Sequence, residues 1–464
     1  MYGRLRARSQ ASEPRGPDTR ASGRRVRPLA VAWLAAAVAA YAVSVLVYHH
    51  LLGLNPVLWT HTDEFVYRAA GLEVHRHPAD LYRALYGEPN RFKLSFTYPP
   101  IAALVFALFS SFSFAVWQAG LIVIDLLMLP VIFYASLRIA GRRGLTGAAA
   151  AFALSAMALW LEPVYMTLYF GQINLVLLVL AIVDLALPDS CRWKGIGIGI
   201  AAGMKLTPLI LIPFLLASRR IRAGLVALAT FAVTVAVGFI VLPTASHDFW
   251  FRNLASHAGF TLQNQSIDGI VLRLLPGGSA AHAIWLVSAF GVAVAGLTVA
   301  ALASRRGYEL TGIVVCAVTG LLISPISWTH HWVWAVVPGL ALTVAGDRRR
   351  AADAPGPETP EPAAAPGQDR IRNWIARAAG TAVLLFLFVM WPDRQEVGRV
   401  EDLLPRGLLR LAPNGYGAEK TWHGWQLILG NYYVIAGAVA IAGVAVYLLV
   451  TGLISRARSA AVRP

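Results

Sequence analysis

The sequence predicts an all-α polytopic membrane protein with about 10–12 transmembrane helices. Three observations predict it. Apolar runs long enough to cross ~30 Å of hydrocarbon recur along the whole chain. Charged residues make up only 14% of the 464, and mean hydropathy is +0.59. The basic residues gather in short connectors between the apolar runs. A β-barrel would instead show alternating segments of about ten residues.

Taken in order, residues 1–28 form a basic tail with eight arginines. The run "LAVAWLAAAVAAYAVSVLVY" (29–48) is a full span, too long for the apolar core of a cleavable signal. Further basic groups stand in "RIAGRRG" (138–144), "CRWK" (191–194), "SRRIR" (218–222), "SRRG" (304–307), "DRRR" (347–350) and "SRAR" (455–458). This is the positive-inside pattern of a plasma-membrane protein, helped by anionic lipid. It places both termini in the cytosol and accounts for the net charge of +16 without nucleic acid. Cys191 and Cys316 are too few for a disulfide framework and read as free thiols.

The remaining connectors, 50–97, 243–278, 325–331 and 393–429, then face outward. They hold His61, His75, His77, His247, His257, His330, His331 and His423. Residues 29–346 read as the catalytic core and 347–377, "AADAPGPETPEPAAAPGQD" at its heart, as a disordered Pro/Ala linker. Residues 378–454 read as C-terminal helices around the outer loop 393–429, and 455–464 as a second basic tail. Two stretches test the helix count. Residues 99–137 hold about two apolar helices where an odd number of crossings is needed. Residues 195–217 have basic loops at both ends and need an even number. They are expected to form a broken re-entrant hairpin turning at Lys205–Pro208, because Pro208 removes a backbone donor and biases Thr207 away from helix. Irregular backbone at membrane depth is tolerated only where it lines a protein cavity.

The densest group of ionisable residues, "HTDEFVYRAAGLEVHRHPADLYR" (61–83), follows the first span. Asp63 is either a solvated helix cap or a general base. Glu64, Arg68, His61 and His75 nearby favour the base, and "EFVYRAAGLEV" suits a helix lying along the membrane surface. A carboxylate beside an apolar wall can be ionised yet poorly solvated, which suits proton abstraction. "SPISWTHHWVW" (324–334) pairs His330 with His331 between Trp328, Trp332 and Trp334. These are interfacial belt residues or donors to a phosphate, and adjacent side chains diverge too far for a good metal site. Lys205 in "GMKLTP" either snorkels to the interface or sets a point charge on a phosphate. Gln172 and Asn174 in "YFGQINLV", with Asn264 and Gln265 in "TLQNQSIDGIV", are helix caps or the amides a sugar needs. No nucleotide-binding or metalloprotease motif stands out.

Asp63 with Val66, Tyr67 and Arg68, then "TYPP", "GQIN", "GMKLTP" and "SPISWTHHWVW" in that order, resemble glycosyltransferase family 87. These are actinobacterial enzymes of the GT-C fold that use polyprenyl-phosphate sugars. The resemblance runs from about residue 29 to 346. It is nearest to the α-1,2-mannosyltransferases that extend phosphatidylinositol mannosides and related lipoglycans, and less near to the branch that transfers arabinofuranose from polyprenyl-phosphate-arabinose. It implies a polyprenyl-phosphate-mannose donor, a mannolipid acceptor and an inverting reaction on the periplasmic face, with no cofactor and no metal. Carried onto this chain, Asp63 takes the base position and His330 or His331 the donor-phosphate position. Lys205 and Arg68 join the phosphate site. Glu64, Gln172, Asn174, Asn264, Gln265 and Trp328 are expected on the sugar or acceptor. A monomer surrounded by membrane lipid is expected. The rival reading is a transporter or flippase using Asp125 and Asp184 for proton coupling. It would want its polar groups at the midplane, whereas most lie at one face. An assembly subunit without catalysis would need no base.

Overall fold

The computed structural model describes residues 28–52, 62–87, 93–253, 259, 261–346, 368–397, 400–415 and 417–461. His61, His257, nearly all of the N-terminal tail and most of the linker lie outside these residues. The described chain is almost entirely helical. α1 (Pro28–Leu52) opens on proline, whose missing N–H costs nothing at the first helical position. α2 (Thr62–Arg76) begins with Asp63 and Glu64, acids that suit the positive end of a helix. A two-stranded hairpin pairs β1 (Leu85–Tyr86) with β2 (Leu94–Ser95). α3 (Pro100–Ala107) follows the rigid Pro99–Pro100 start and stops after two turns. It lies against α2. A methyl group on Gly71 would come within 2.8 Å of the Phe106 carbonyl. This removes the parity problem in residues 99–137: α3 stays at one end of the bundle and α4 (Phe114–Ile139) alone crosses it.

α5 (Gly144–Ala158) returns to that end, where α6 (Glu162–Phe170) makes a short cap. α7 (Asn174–Leu185) then runs away from it. α8 (Ile196–Met204) comes back, Lys205 breaks the helix in an extended conformation, and a 3-10 turn (Thr207–Ile210) leads into α9 (Leu211–Ala217). α10 (Ile221–Val241) shows that this is the expected hairpin. Gly195, Gly199 and Gly203 lie in turn against Ala223, Ala227 and Thr234 of α10, while Leu216 of α9 lies back against Gly224. The two arms therefore start and finish at one level, with Lys205 at the tip. Asp184 accepts from the backbone of Gly195, Gly197 and Ile198 at 2.7, 2.6 and 3.3 Å, which caps α8 at its positive end.

α11 (Pro243–Asp248) and α12 (Ile267–Leu274) are short. α13 (Ser279–Arg305), α14 (Glu309–Ile323) and α15 (Val333–Ala345) then run between the two ends. α16 (Gln368–Phe388) begins inside the stretch read as linker, because glutamine, arginine and alanine from 368 onward are good helix formers. The outer loop 393–429 is not featureless: β3 (Trp391–Val397) pairs antiparallel with β4 (Val400–Arg406), and α17 (Trp425–Leu429) follows. Pro392 and Pro405, which read as loop residues, face each other in this ladder. α18 (Tyr432–Ala461) extends past residue 454 into the supposed tail, whose "ARSAA" sustains helix.

Among the described residues six helices, α1, α4, α10, α13, α16 and α18, are long and apolar enough to cross a membrane. α5, α7, α14 and α15 are shorter and run beside them. Polar groups sort by end. Arg220 pairs with Glu309, and Lys194 with Asp189 at 2.7 Å, at the end that carries the basic connectors. The acid, amide and histidine cluster sits at the other.

Candidate active site

Asp63 and Tyr67 are four residues apart on α2 and so share a face. Tyr98 reaches them from the segment before α3. Its hydroxyl is 2.6 Å from that of Tyr67. Gln172 enters because α6 ends at Gly171 in the left-handed region, φ 64°, and the chain reverses there. Glycine is required twice over, since a methyl group would also lie 2.6 Å from the Glu64 side chain. The Gln172 carbonyl oxygen accepts from Tyr67 at 2.9 Å, Tyr98 at 2.8 Å and Lys205 at 3.4 Å. Its amide nitrogen is thereby turned to donate to the Asp63 carboxylate.

Lys205, at the tip of the hairpin, also donates to Asn174 at 2.8 Å and to the Tyr98 hydroxyl at 3.1 Å. Its ammonium lies 5.0 Å from the centre of the Tyr98 ring. Asn174 passes the connection on, donating at 3.4 Å to the backbone carbonyl of His330, which Thr167 also reaches at 3.3 Å. His330 stands between Phe170 and His331, with ring centres 5.4 and 4.6 Å away. Both nitrogens of His330, and Nδ1 of His331, are buried without a hydrogen-bond partner among the described residues.

Electrostatics divide these groups. Burial pushes the Asp63 carboxyl up to about 6, with the Gln172 hydrogen bond and the Lys205 charge pulling the other way. Burial, with Lys205 nearby, pushes both histidines well below their usual range. Both rings are therefore neutral near pH 7, and His331 is hydrogen-bonded to the Ile326 backbone. The arrangement offers a carboxylate whose pKa is raised, a lysine within the same network, and a neutral His330 imidazole with both nitrogens unpartnered among the described residues.

Several expected residues go elsewhere. Arg68 donates to the Phe112 carbonyl at 2.7 Å and is not brought into the cluster. Glu64, adjacent to Asp63 on a helix and so turned about 100° from it, is completely buried against Gly171. Asn264 donates to the Pro325 carbonyl at 3.0 Å and accepts from the Ser327 backbone at 3.0 Å. Gln265 donates to the carbonyls of Leu262 and Gly430 at 2.7 and 2.8 Å. The Asn264 amide braces the segment before the histidines, and the Gln265 amide ties its own loop to the C-terminal region. Trp328 is half-buried and pairs its backbone with Asn264. Tyr67 and Tyr98 were not among the expected site residues. The signal was present in the four-residue spacing from Asp63 and in "TYPP", but a tyrosine at a membrane interface is ordinary.

A brace from the C-terminal region completes the site. Trp332 donates to the Gln265 carbonyl at 3.2 Å and packs edge-on to Tyr433, with ring centres 5.1 Å apart. The Tyr433 hydroxyl donates to Glu162 at the start of α6. Among the described residues no three His, Cys, Asp or Glu side chains gather as a metal site would require.

The sequence profile of glycosyltransferase family 87 matches residues 96–325, which include Tyr98, Gln172, Asn174 and Lys205 but neither Asp63 nor the histidines. The chain is 33% identical over 363 residues to a polyprenol-phosphate-mannose-dependent alpha-(1-2)-phosphatidylinositol pentamannoside mannosyltransferase of Mycobacterium tuberculosis, covering 74% of this chain and 77% of that protein. It is 33% identical over 290 residues to the corresponding phosphatidylinositol mannoside mannosyltransferase of the same organism, covering 57% and 66%. The equivalent enzyme of Mycolicibacterium smegmatis is 32% identical over 342 residues, covering 65% and 76%. No solved structure matches the chain significantly.

Proposed function

Because the chain belongs to glycosyltransferase family 87, we propose that it is a membrane mannosyltransferase that moves mannose from polyprenyl-phosphate-mannose to a phosphatidylinositol-mannoside-type acceptor. The relatives' names supply the donor and acceptor classes and the α-1,2 linkage. The observation that carries the chemistry is the single hydrogen-bonded chain from Asp63 through Gln172 to Lys205. It holds a base and a cation in one fixed relation.

In this reading the acceptor hydroxyl gives its proton to Asp63 and attacks C1 of mannose from the face opposite the phosphate, so the anomeric centre inverts. The C1–O bond breaks and its electron pair goes to the departing polyprenyl phosphate. Lys205, His330 and His331 stabilise the charge that grows there, and at a partly dehydrated interface each donor counts for more than in water. The donor phosphate sits at headgroup level, which is why the site lies at one end of the bundle. We assign that end to the periplasm, opposite the basic connectors. No metal takes part.

The test is incubation of purified protein with labelled polyprenyl-phosphate-mannose and mannolipid acceptors, with and without chelator, beside Asp63→Asn. Transfer by the wild type should persist in chelator. The Asn variant should bind donor but lose about 10²–10⁴ in rate. Near wild-type turnover in that variant would remove Asp63 as the base, and activity with GDP-mannose alone would overturn the donor class.

A further inference from the structure

The hydroxyls of Tyr67 and Tyr98 and the Gln172 carbonyl oxygen form a triangle. Its sides are 2.6 Å between the tyrosines, 2.9 Å from Tyr67 to Gln172 and 2.8 Å from Tyr98 to Gln172. Every side has hydrogen-bond length, but two hydroxyls carry only two hydrogens. If both hydrogens went to Gln172, two hydroxyl oxygens would face each other at 2.6 Å with no hydrogen between them. One hydrogen therefore lies between the tyrosines and the other on Gln172. Either tyrosine can be the one that holds Gln172, while its partner donates to it. The Gln172 carbonyl has two acceptor sites, and the second takes Lys205 at 3.4 Å.

Lys205 is the weaker of these two holds. Its ammonium has three hydrogens, and Asn174 at 2.8 Å, Tyr98 at 3.1 Å and Gln172 at 3.4 Å take all three. Reaching a donor phosphate requires Lys205 to release one of them, and the longest is the bond to Gln172. The tyrosines are under no such demand. Both are buried. The Tyr67 ring stacks on Phe106 with centres 4.7 Å apart, and the Tyr98 backbone carbonyl accepts from Tyr82 at 2.6 Å.

We propose that Tyr67 and Tyr98 are interchangeable positioning residues for the base. Either hydroxyl alone keeps the Gln172 carbonyl occupied and its amide nitrogen on Asp63, including when Lys205 turns to the donor phosphate. The pair thus insulates the proton acceptor from movement of the cation. This rests on the reading of Asp63 as the base of a polyprenyl-phosphate-sugar transferase. The titratable side chains about Asp63 are Tyr67 on its own helix, Tyr98 before α3 and Lys205 at the hairpin tip, with Asp125 of α4 acting on Tyr67 and Glu64 on Asp125.

The test is the acid limb of kcat/KM in wild type, Tyr67→Phe, Tyr98→Phe and the double variant. Phenylalanine keeps each ring and removes its hydroxyl, and every other titratable group about Asp63 stays in place. Each single variant should keep the wild-type midpoint, because the remaining hydroxyl donates to Gln172 directly. The double variant should move the midpoint up by about one pH unit or more, the size of a hydrogen bond to a charged group. The sign follows because losing a donor to a carboxylate disfavours its ionised form. A single variant that shifts as far as the double overturns interchangeability. An unmoved midpoint in the double variant overturns the positioning role, since lost packing alone lowers yield or rate without moving the limb. Should the double variant not fold or not turn over, structures of the two single variants decide. The remaining hydroxyl within hydrogen-bond distance of Gln172 supports the proposal, and one beyond it overturns it. Wild-type transfer with an unmoved double-variant midpoint rejects the tyrosine pair alone, whereas absence of wild-type transfer, or full transfer by Asp63→Asn, rejects the parent reading.

Discussion

Gln172 gives its amide nitrogen to Asp63 because Tyr67, Tyr98 and Lys205 occupy its carbonyl oxygen. A donor to a carboxylate favours the ionised form, so this bond holds the Asp63 pKa below where burial alone would leave it. A base works only when ionised. The acid limb of kcat/KM should therefore have its midpoint near 6, the value to which Asp63 is raised. Gln172→Leu should move that midpoint to higher pH and leave transfer measurable above it. A midpoint near 4 in the wild type, or an unmoved one in the variant, would contradict the link. Because burial keeps His330 and His331 neutral, no fall of activity from a histidine should follow as pH passes 7.

Among the elements, the hairpin of α8 and α9 sets the position of Lys205. Its seat on α10 depends on close approach. A methyl group on Gly199 would lie 2.6 Å from the Ala227 carbonyl, whereas one on Gly120 of α4 would meet nothing within 4 Å. Gly199→Ala should therefore push α8 outward, lower the melting temperature by an amount corresponding to about 1–3 kcal/mol, and weaken donor binding through Lys205. Gly120→Ala should leave both nearly unchanged. Thermal unfolding and donor affinity of the two variants check this. Much of this element was legible in sequence. Charge parity forced residues 195–217 to turn back, and Pro208 marked where. The misread elements share a physical cause. Asn264, Gln265 and Arg68 can satisfy themselves on nearby or distant backbone carbonyls, and no residue pattern announces which carbonyl will be in reach. Lys205, Gln172 and Asn174 were readable because polar groups embedded in apolar helices have few alternatives. Tyr67 and Tyr98 were hidden because their residue type is common at such depth.

The molecule as a whole separates its chemistry from its charge. Asp63, Lys205 and His330 meet at one end of the bundle, and Arg220, Glu309 and Lys194 at the other. If the first end faces the periplasm, a membrane-impermeant maleimide applied to intact cells should label Arg83→Cys, an exposed position at that end. It should leave Cys191, at the opposite end, unlabelled until the membrane is permeabilised. The reverse pattern would invert the orientation. This global sorting was visible in the spacing of arginine clusters, whereas the β3–β4 hairpin was not, since its prolines and charges read as loop.

The C-terminal brace sets an order in time. A chain leaves the ribosome from its N-terminus, so Asp63, Gln172, Lys205 and both histidines are synthesised well before Tyr433. Until α18 arrives, Trp332 lacks its ring partner and Gln265 lacks the Gly430 carbonyl. The histidine turn therefore gains these partners only when α18 packs against it, after the rest of the cluster has been synthesised.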